Sequence, residues 1–526
     1  MKPYKILLLI IAAVALSSCQ DELNTNPTDS TSGEVLFSDI DKANVALNGI
    51  YRAMYTASEW SLNWASEEFA VTAFTLTYDL MGEDMVQNEE GSGWFWYDYV
   101  YNVKSDYTGK SGRPYAVWYF YYTVISNVNS IIAAKDGITG ESSEINSLIG
   151  QAYTLRAFAY FNLVRFYQQT YAGNENAPGV PVYTEPTTNT SEGKPRGTVA
   201  DVYAQIDSDI EEAIQLLNPE IAAPKSHPSH IDYYTANGIK ANIALEKNDW
   251  AAAESAAEIA LNGGTSMLTR NELASGFAFN DANSHTVLWG LTIIADQATG
   301  GDSFFSHMDA STNFYAQTAR KCVSTWLYNQ MSADDVRKMT WWNGPLETDD
   351  AIGPNFSYNQ FKFLFSDPTN ALGDYILMRH EEMMLVKAEA MCMQGKYPQA
   401  RSILADLMAE RDPNYDITSL VDANTLTVND PNGPTTPAGG SATLLDEIIL
   451  QRRIELWGEA GRIMDIKRLK TGFSRNFSGS NHPDKLLSRN TLDPEYPDFV
   501  MSIPQSEFDG NKNMDETTDQ NPWAEN

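Results

Sequence analysis

The sequence comprises 526 residues, 43% of them apolar, which is enough for a large buried core. Length alone predicts about two to four domains. Its 36 lysines and arginines are outnumbered by 69 acidic residues, so the formal net charge is −33. Because so negative a surface repels phosphate backbones and anionic lipid head groups, the charge argues against nucleic-acid binding and against electrostatic docking on membranes.

The first residues show the pattern of a secretory signal. Lys2 and Lys5 precede an apolar run at 6–16, and two serines and Cys19 follow. A helix of this length spans about 16 Å, roughly half of a bilayer core, so it is too short to cross a membrane. The ending resembles the bacterial lipobox, which implies a signal peptide at 1–18 and lipidation of Cys19. A cleaved peptide with an incidental cysteine is the alternative.

The stretch at 19–33 is polar and contains a proline, which predicts a flexible, lipidated tether. Within it, Gln20-Asp21-Glu22 resembles the acidic tag with which lipoproteins of Bacteroidota reach the cell surface. An acidic linker is an equally good interpretation of so short a match. Beyond Cys19, only Cys322 and Cys392 remain. Two thiols in an exported protein of this size do not make a disulfide framework, and we expect two buried free thiols.

Apolar residues spaced by three and four predict helices over most of the chain. The longest stripe runs from Ile145 to Phe166, and further stripes lie at 198–217, 377–391 and 445–456. These patterns predict a mainly helical protein.

Two predicted helical hairpins share a pattern. In each, an alanine-rich helix leads to a tight polar turn, an aromatic residue and, three residues later, an alanine. The two aromatic residues are Trp250 and Tyr397. This order is typical of tetratricopeptide repeats, in which small residues let two helices approach closely. Because roughly 150 residues separate the copies, we expect a helical scaffold interrupted by inserts. One insert is predicted at 268–374, where 286–294 predict a strand among residues typical of turns.

Five blocks of the sequence resemble the SusD/RagB family of nutrient-binding outer-membrane lipoproteins. They lie, in chain order, at 150–182, 196–213, 379–390, 451–468 and 503–522. The fourth contains Arg452-Arg453-Ile454-Glu455-Leu456, which matches the family's R-R-x-E-L segment. The third departs from the family's usual R-x-A-E-x-L-L-x-x-A-E-A at two positions. The resemblance as a whole extends over essentially all of the chain from Cys19 to Asn526, with the blocks in the family's order.

The resemblance implies a mainly α fold: an irregular, tetratricopeptide-like superhelix of four helix pairs with an inserted, loop-rich ligand-binding subdomain containing short strands. We expect one SusD-like domain at 34–526, with its scaffold at 34–267 and 375–526 and its insert at 268–374. The resemblance also implies a surface-exposed, lipid-anchored location in the outer membrane. The implied partner is a SusC-like TonB-dependent transporter, over which the protein closes as a lid.

Candidate ligand-binding residues come first from the aromatic run at 91–101. If this run is extended, Trp94 and Trp96 lie on one side and Tyr97 on the other. Two indole faces suit the C–H faces of successive sugar rings. Relatives that bind glycans use an aromatic arc in this early segment, which implies the same role here. The alternative is that these aromatics cover the helical core.

A second group of candidates lies in the insert, where Phe304, Phe305 and Tyr315 occur in polar, glycine-flanked segments. Aromatic residues exposed in loops are a functional hint. The two groups together predict an oligosaccharide-binding site.

Catalytic motifs are missing from the sequence: it contains no His-Glu-x-x-His, no Gly-x-Ser-x-Gly and no glycine-rich phosphate loop. His227 and His230 predict a surface loop rather than a metal site, because no further ligands lie near them in the sequence. His380 and the two glutamates after it predict a solvated helix face. We therefore expect no enzyme, no cofactor and no metal. A RagB-like peptide-binding protein and a surface glycan hydrolase are the alternatives to glycan binding.

Overall fold

The computed structural model describes residues 36–56, 65–91, 93–110, 112–188, 190–312, 314–426, 442–491 and 493–523. The predicted signal peptide, Cys19 and the tether lie outside this part of the chain. Within it, the protein is mainly helical and has a few short strands. None of the helices described there is long and apolar enough to span a bilayer.

The helices and strands are numbered in chain order over the described residues. The helices are α1 (Ile40–Ala53), α2 (Val71–Met81), α3 (Trp96–Tyr99), α4 (Arg113–Ala133), α5 (Ser142–Tyr167), α6 (Val199–Leu216), α7 (Tyr233–Glu246), α8 (Trp250–Leu261), α9 (Arg270–Ala274), α10 (Phe304–Met308), α11 (Thr325–Gln330), α12 (Val336–Thr340), α13 (His380–Met393), α14 (Tyr397–Arg411), α15 (Leu444–Glu455), α16 (Arg462–Leu469), α17 (Gln505–Gly510) and α18 (Glu516–Asp519). The strands are β1 (Met85–Gln87), β2 (Val287–Leu291), β3 (Lys321–Val323) and β4 (Tyr375–Arg379).

The helices predicted from apolar stripes are present. Helix α5 covers the longest stripe, α15 covers the stripe at 445–456, and α6 begins after Thr198, whose side chain caps it. Thr198 and Asp201 form a reciprocal capping box, which satisfies backbone donors at the start of α6. The stripe at 377–391 is only partly helical, because Leu377 belongs to strand β4 and helix α13 begins at His380.

Both predicted hairpins form. Helix α7 packs against α8, and α13 packs against α14. Ala253 and Ala400, the small residues of the pattern, are fully buried where the helices meet. Helix α8 also packs against α13, so the two hairpins are neighbours in space although a long segment separates them in sequence. The arrangement is consistent with a scaffold interrupted by an insert.

Two antiparallel strand pairs lie beside the helices. Strand β1 pairs with β3, with Val86 opposite Cys322, and β2 pairs with β4, with Leu291 opposite Tyr375. Strand β2 lies inside the segment predicted as a strand, which confirms that prediction in a shorter form. Strand β4 ends at Arg379, and helix α13 begins at the next residue, His380.

A cluster of buried ion pairs lies where several helices meet. Glu455 at the end of α15 is fully buried, and its carboxylate accepts hydrogen bonds from Arg337 at 3.0 Å and from Arg379 and Arg411 at 2.9 Å. Burial alone would raise the pKa of Glu455, but the three guanidinium groups outweigh it and hold the pKa well below its ordinary value. Glu381 is also fully buried and joins this cluster. The expectation of a solvated helix face after His380 is therefore wrong, because Glu381, the first of the two glutamates that follow it, is buried and paired with arginines.

Cys322 and Cys392 are both free and buried, as predicted. Burial raises the pKa of the Cys322 thiol to about 12, so it stays protonated at neutral pH. Both side chains therefore act as small apolar groups within the core.

Candidate ligand-binding site

The segment from Gly93 to Tyr99 turns sharply instead of running straight. Gly93 has φ +96° and Phe95 has φ +59°, both in the left-handed region, and helix α3 starts directly after Phe95. The Phe95 N–H donates a hydrogen bond to the Glu67 carboxylate, which holds this turn in place. The expectation of an extended run with Trp94 and Trp96 on one side is therefore wrong, because the turn at Phe95 separates their directions.

Trp96 lies in the core. Its side chain is 5% exposed, and its ring packs edge-on against Tyr99 at 5.6 Å between ring centroids. The Lys485 ammonium covers its other side at 4.2 Å from the ring centroid. Tyr97, in contrast, is 46% exposed and points away from the core. The structure thus supports the core-covering alternative for Trp96 and leaves Tyr97 available to a ligand.

Phe304 and Phe305 also lie in the core, which corrects the expectation that they occupy exposed loops. Ser303 caps a short helix, α10, and the cap turns both rings inward. The Phe305 side chain is 1% exposed, and both rings pack against Tyr375 at about 6 Å between centroids. Phe304 and Phe305 therefore belong to the core and do not form an exposed binding surface.

Trp94 and Tyr315 come together at the surface. Their ring centroids lie 3.9 Å apart with the planes inclined at 53°, and both side chains are partly exposed. Tyr315 begins the short 3₁₀ turn Tyr315–Gln317, just after α10. The structure therefore joins one candidate from each predicted group into a single pair, to which we refer as the aromatic pair.

A buried histidine supports the aromatic pair from beneath. The His307 ring stacks on Tyr315 at 4.7 Å and on Phe69 at 5.5 Å between centroids. Its Nε2 binds the backbone carbonyl oxygen of Ser66, and because that oxygen only accepts, Nε2 must carry the proton. Burial holds the pKa of His307 well below its ordinary value. His307 is therefore neutral at physiological pH and acts as a third layer of the stack.

Below the same turn, three carboxylates surround one arginine. Arg113 donates to Glu68 at 2.9 Å and to Asp98 at 3.1 Å, and it lies 3.5 Å from the Glu67 carboxylate. All four side chains are buried. Burial, the largest effect, raises the pKa of Glu67 to about 7 and that of Glu68 to about 8. No local pattern in the sequence indicates this group, because its members lie at 67, 68, 98 and 113.

The geometry suits recognition of a flat, partly apolar ring. The face of an aromatic side chain is electron-rich and attracts polarised C–H groups, such as those on one side of a pyranose ring. Charged groups lie at the edge of this region, where Lys485 and Glu90 form an exposed pair at 3.2 Å. No cluster of three metal-binding side chains occurs in the residues that the structure describes. His227 and His230 lie 5.7 Å apart between ring centroids, in the loop before α7.

Comparisons with known proteins place the chain in a family. A model described as "Starch-binding associating with outer membrane" matches residues 62–236, and the SusD family model matches residues 233–523. The second match alone covers more than half of the chain. The protein belongs to the SusD family.

Individual relatives align with this chain over almost its full length. SusD-like protein P2 of Formosa agariphila is 24% identical, and the alignment spans 98% of this chain and 99% of that protein. A SusD-like carbohydrate binding protein from Bacteroides vulgatus has a crystal structure that superposes with a TM-score of 0.73 at 25% identity, covering 91% of this chain and 98% of that one. A SusD superfamily structure from Bacteroides thetaiotaomicron gives a TM-score of 0.71 at 22% identity, over 92% and 100%. The fold is therefore that of the SusD superfamily.

Proposed function

We propose that the protein is a cell-surface lipoprotein that captures oligosaccharides and delivers them, as a lid, to a SusC-like TonB-dependent transporter. The observation that carries the proposal is the aromatic pair of Trp94 and Tyr315, partly exposed and braced by buried His307. The Bacteroides vulgatus relative, described as a carbohydrate binding protein, supports the same ligand class.

Charge narrows the ligand to neutral or cationic molecules. The net charge of −33 disfavours acidic polysaccharides, since long-range repulsion slows their approach. Trp94, Tyr97 and Tyr315 are the residues proposed to touch the sugar. Trp96, Phe304 and Phe305 are proposed to hold that surface rather than to form it, because all three are buried.

The aromatic pair also bears on the proposed division of the chain. We propose a scaffold at 34–267 and 375–526 and an insert at 268–374, which places Trp94 in the scaffold and Tyr315 in the insert. A ligand held between them would contact both parts at once. Such a ligand would stabilise the position of the insert against the scaffold, which is a useful property in a lid.

The proposal is tested on the aromatic pair with a panel of neutral glycans and a peptide pool. Trp94→Ala and Tyr315→Ala should each weaken glycan binding by about 1–3 kcal/mol, the range for the loss of an aromatic hot spot. Calorimetry measures the affinity. Trp523→Ala is the matched control, because Trp523 is an exposed tryptophan (49%) at the other end of the chain.

Three outcomes would contradict the proposal. Unchanged glycan affinity in both variants would move the site elsewhere. Binding to peptides alone would favour the RagB-like alternative. Release of reducing ends from a polysaccharide during incubation would show a hydrolase.

The proposed anchor is tested separately. Cys19→Ala should yield unlipidated protein that no longer fractionates with the outer membrane, because a lipid chain supplies the membrane affinity that the negative surface does not. Membrane fractions washed in high salt and metabolic labelling with a fatty acid measure this. A variant that still sedimented with the washed membranes would show that lipid is not the main tether.

A further inference from the structure

A second aromatic surface lies on helix α4, apart from the aromatic pair. There a cleft of about 570 Å³ opens between α4, the segments at 183–188 and 190–193, and α17. None of Trp94, Tyr97, His307 and Tyr315 lines it. Its volume falls in the range of sites that hold small molecules, roughly 300–1,000 Å³.

Helical spacing aligns the rings of this cleft. Tyr115 and Tyr119 are one turn apart, and their rings lie nearly parallel, 5.4 Å between centroids and 16° between planes. Trp118 and Tyr122 form a second pair at 4.8 Å. Tyr183 meets Tyr122 edge-on at 6.0 Å and closes one end. We refer to these five residues as the helix cleft.

Three of the five rings are fixed by hydrogen bonds. The Trp118 Nε1 donates to Glu507 at 3.1 Å, and the Tyr122 hydroxyl donates to the Pro181 carbonyl oxygen at 2.7 Å. The Tyr183 hydroxyl accepts from the Lys194 N–H at 2.9 Å. These bonds fix the positions of the rings before any ligand arrives, which lowers the entropy cost of binding.

The remaining two rings are open to a ligand. Tyr115 and Tyr119 are both partly exposed, and neither hydroxyl has a hydrogen-bond partner among the residues that the structure describes. The stacked pair therefore offers partly exposed aromatic surface with two hydroxyl groups beside it, and the Lys110 ammonium lies 6.0 Å from the Tyr115 ring centroid. Thr123, Ser126 and Asn127 continue the same side of α4 and supply further polar groups.

We propose that the helix cleft is a second binding site, for a neutral oligosaccharide. The exposed part of the stacked rings suits the C–H face of a pyranose ring, and the polar groups beside it suit sugar hydroxyls. The charged residues that line the cleft are Lys110, Glu192 and Glu507, so carboxylates outnumber cations and an acidic ligand is disfavoured. A wholly apolar ligand would leave the polar groups on α4 without partners. A neutral sugar meets both conditions.

The test uses calorimetry with maltohexaose, cellohexaose, xylohexaose and mannohexaose on four proteins: wild type, Trp94→Ala/Tyr315→Ala, Tyr115→Ala/Tyr119→Ala, and Tyr115→Phe/Tyr119→Phe. We expect wild type to bind two equivalents of at least one sugar. The variant without the aromatic pair should keep one equivalent. In the alanine variant of the helix cleft, sugar binding at the cleft should be at least 10-fold weaker, so that only the equivalent at the aromatic pair is seen. The phenylalanine variant should still bind sugar at the cleft, because its rings remain.

The outcomes separate this proposal from the proposed function. A single equivalent in wild type that depends only on Trp94 and Tyr315 would overturn the second site and leave the proposed function intact. Binding that depends only on Tyr115 and Tyr119 would do the reverse. An alanine variant of the helix cleft that kept both sugar equivalents would also overturn the second site. Circular dichroism confirms that each variant is folded.

Discussion

The aromatic pair and the helix cleft are built in opposite ways. Trp94 and Tyr315 are 221 positions apart in the sequence, and they meet because a left-handed turn at Phe95 and the short helix α10 direct them to one place. Tyr115 and Tyr119 meet because they are one helical turn apart. The first surface depends on the packing beneath it, whereas the Tyr115–Tyr119 pair of the second depends on the spacing within one helix. Substitutions below the aromatic pair should therefore affect folding, and substitutions of Tyr115 and Tyr119 should affect it little.

The largest expected effect comes from removing Trp96, which lies in the core two residues after Trp94. Trp96→Ala should lower the free energy of unfolding by about 3–5 kcal/mol, because truncating a buried tryptophan leaves a cavity. Urea unfolding measures the change. Tyr97→Ala is the neighbouring control, because Tyr97 is 46% exposed. A stable Trp96→Ala protein with weakened sugar binding would show instead that Trp96 is a surface residue.

A smaller effect, dependent on pH, is expected from Glu68. Its pKa in the folded protein is raised to about 8, chiefly by burial, from an ordinary value of 4.5. Between these values the folded state holds a proton that the unfolded chain has lost, so the stability of the wild type falls as pH rises through this window. Glutamine does not ionise, so Glu68→Gln lacks this fall in stability. From pH 5 to pH 8.5, the free energy of unfolding of Glu68→Gln relative to that of wild type should therefore rise by on the order of 1–3 kcal/mol.

Thermal melts of both proteins across this pH range measure the difference. Glu90→Gln is the control, because it makes the same chemical change at an exposed position. Melting temperatures of wild type and Glu68→Gln that run parallel from pH 5 to pH 8.5 would contradict the expectation. The helix cleft contains no buried carboxylate of this kind, so its variants should show no such pH dependence.

The smallest effect is expected from Tyr119→Ala in the helix cleft. The substitution removes the packing of a partly exposed ring, which lowers stability, and introduces alanine, whose helix propensity is the highest. These two effects on the free energy of unfolding partly cancel. The free energy of unfolding should fall by less than about 1 kcal/mol. Chemical denaturation measures this value. A fall in the free energy of unfolding as large as that of Trp96→Ala would show that Tyr119 contributes to the packing of the core.

Most of the scaffold could be predicted from the sequence because its helices carry local signals. Helix α5 follows one apolar stripe, and α6 begins at a capping threonine. Strand β4 was not predicted as a strand, because its apolar residues fit the helical spacing of those in α13. The ion pairs around Glu455 were not predicted either, since nothing local in the sequence distinguishes a buried arginine from an exposed one.

The candidate site was less predictable, for reasons that differ between residues. Aromatic content drew attention to Trp94 and Trp96 equally, and only the positive φ of Phe95 decides which of the two lies near the surface. The contacts of Trp94 with Tyr315 and His307 arise from tertiary structure. The helix cleft has a readable spacing at 115, 118, 119 and 122, but Phe120 and Tyr121 are aromatic too. With aromatic residues on every side of α4, the pattern could not indicate which side faces outward.

The carboxylate of Glu455 bears on how long the folded protein persists. Its three arginine partners come from separate parts of the chain, and Arg337 precedes it by 118 residues. Detaching any one of these segments removes a charged partner from a buried carboxylate, which makes partial opening costly. We therefore expect local openings that would admit a protease to be rare in this region, and the region to unfold as one unit. The placement of one glutamate thus predicts resistance to degradation.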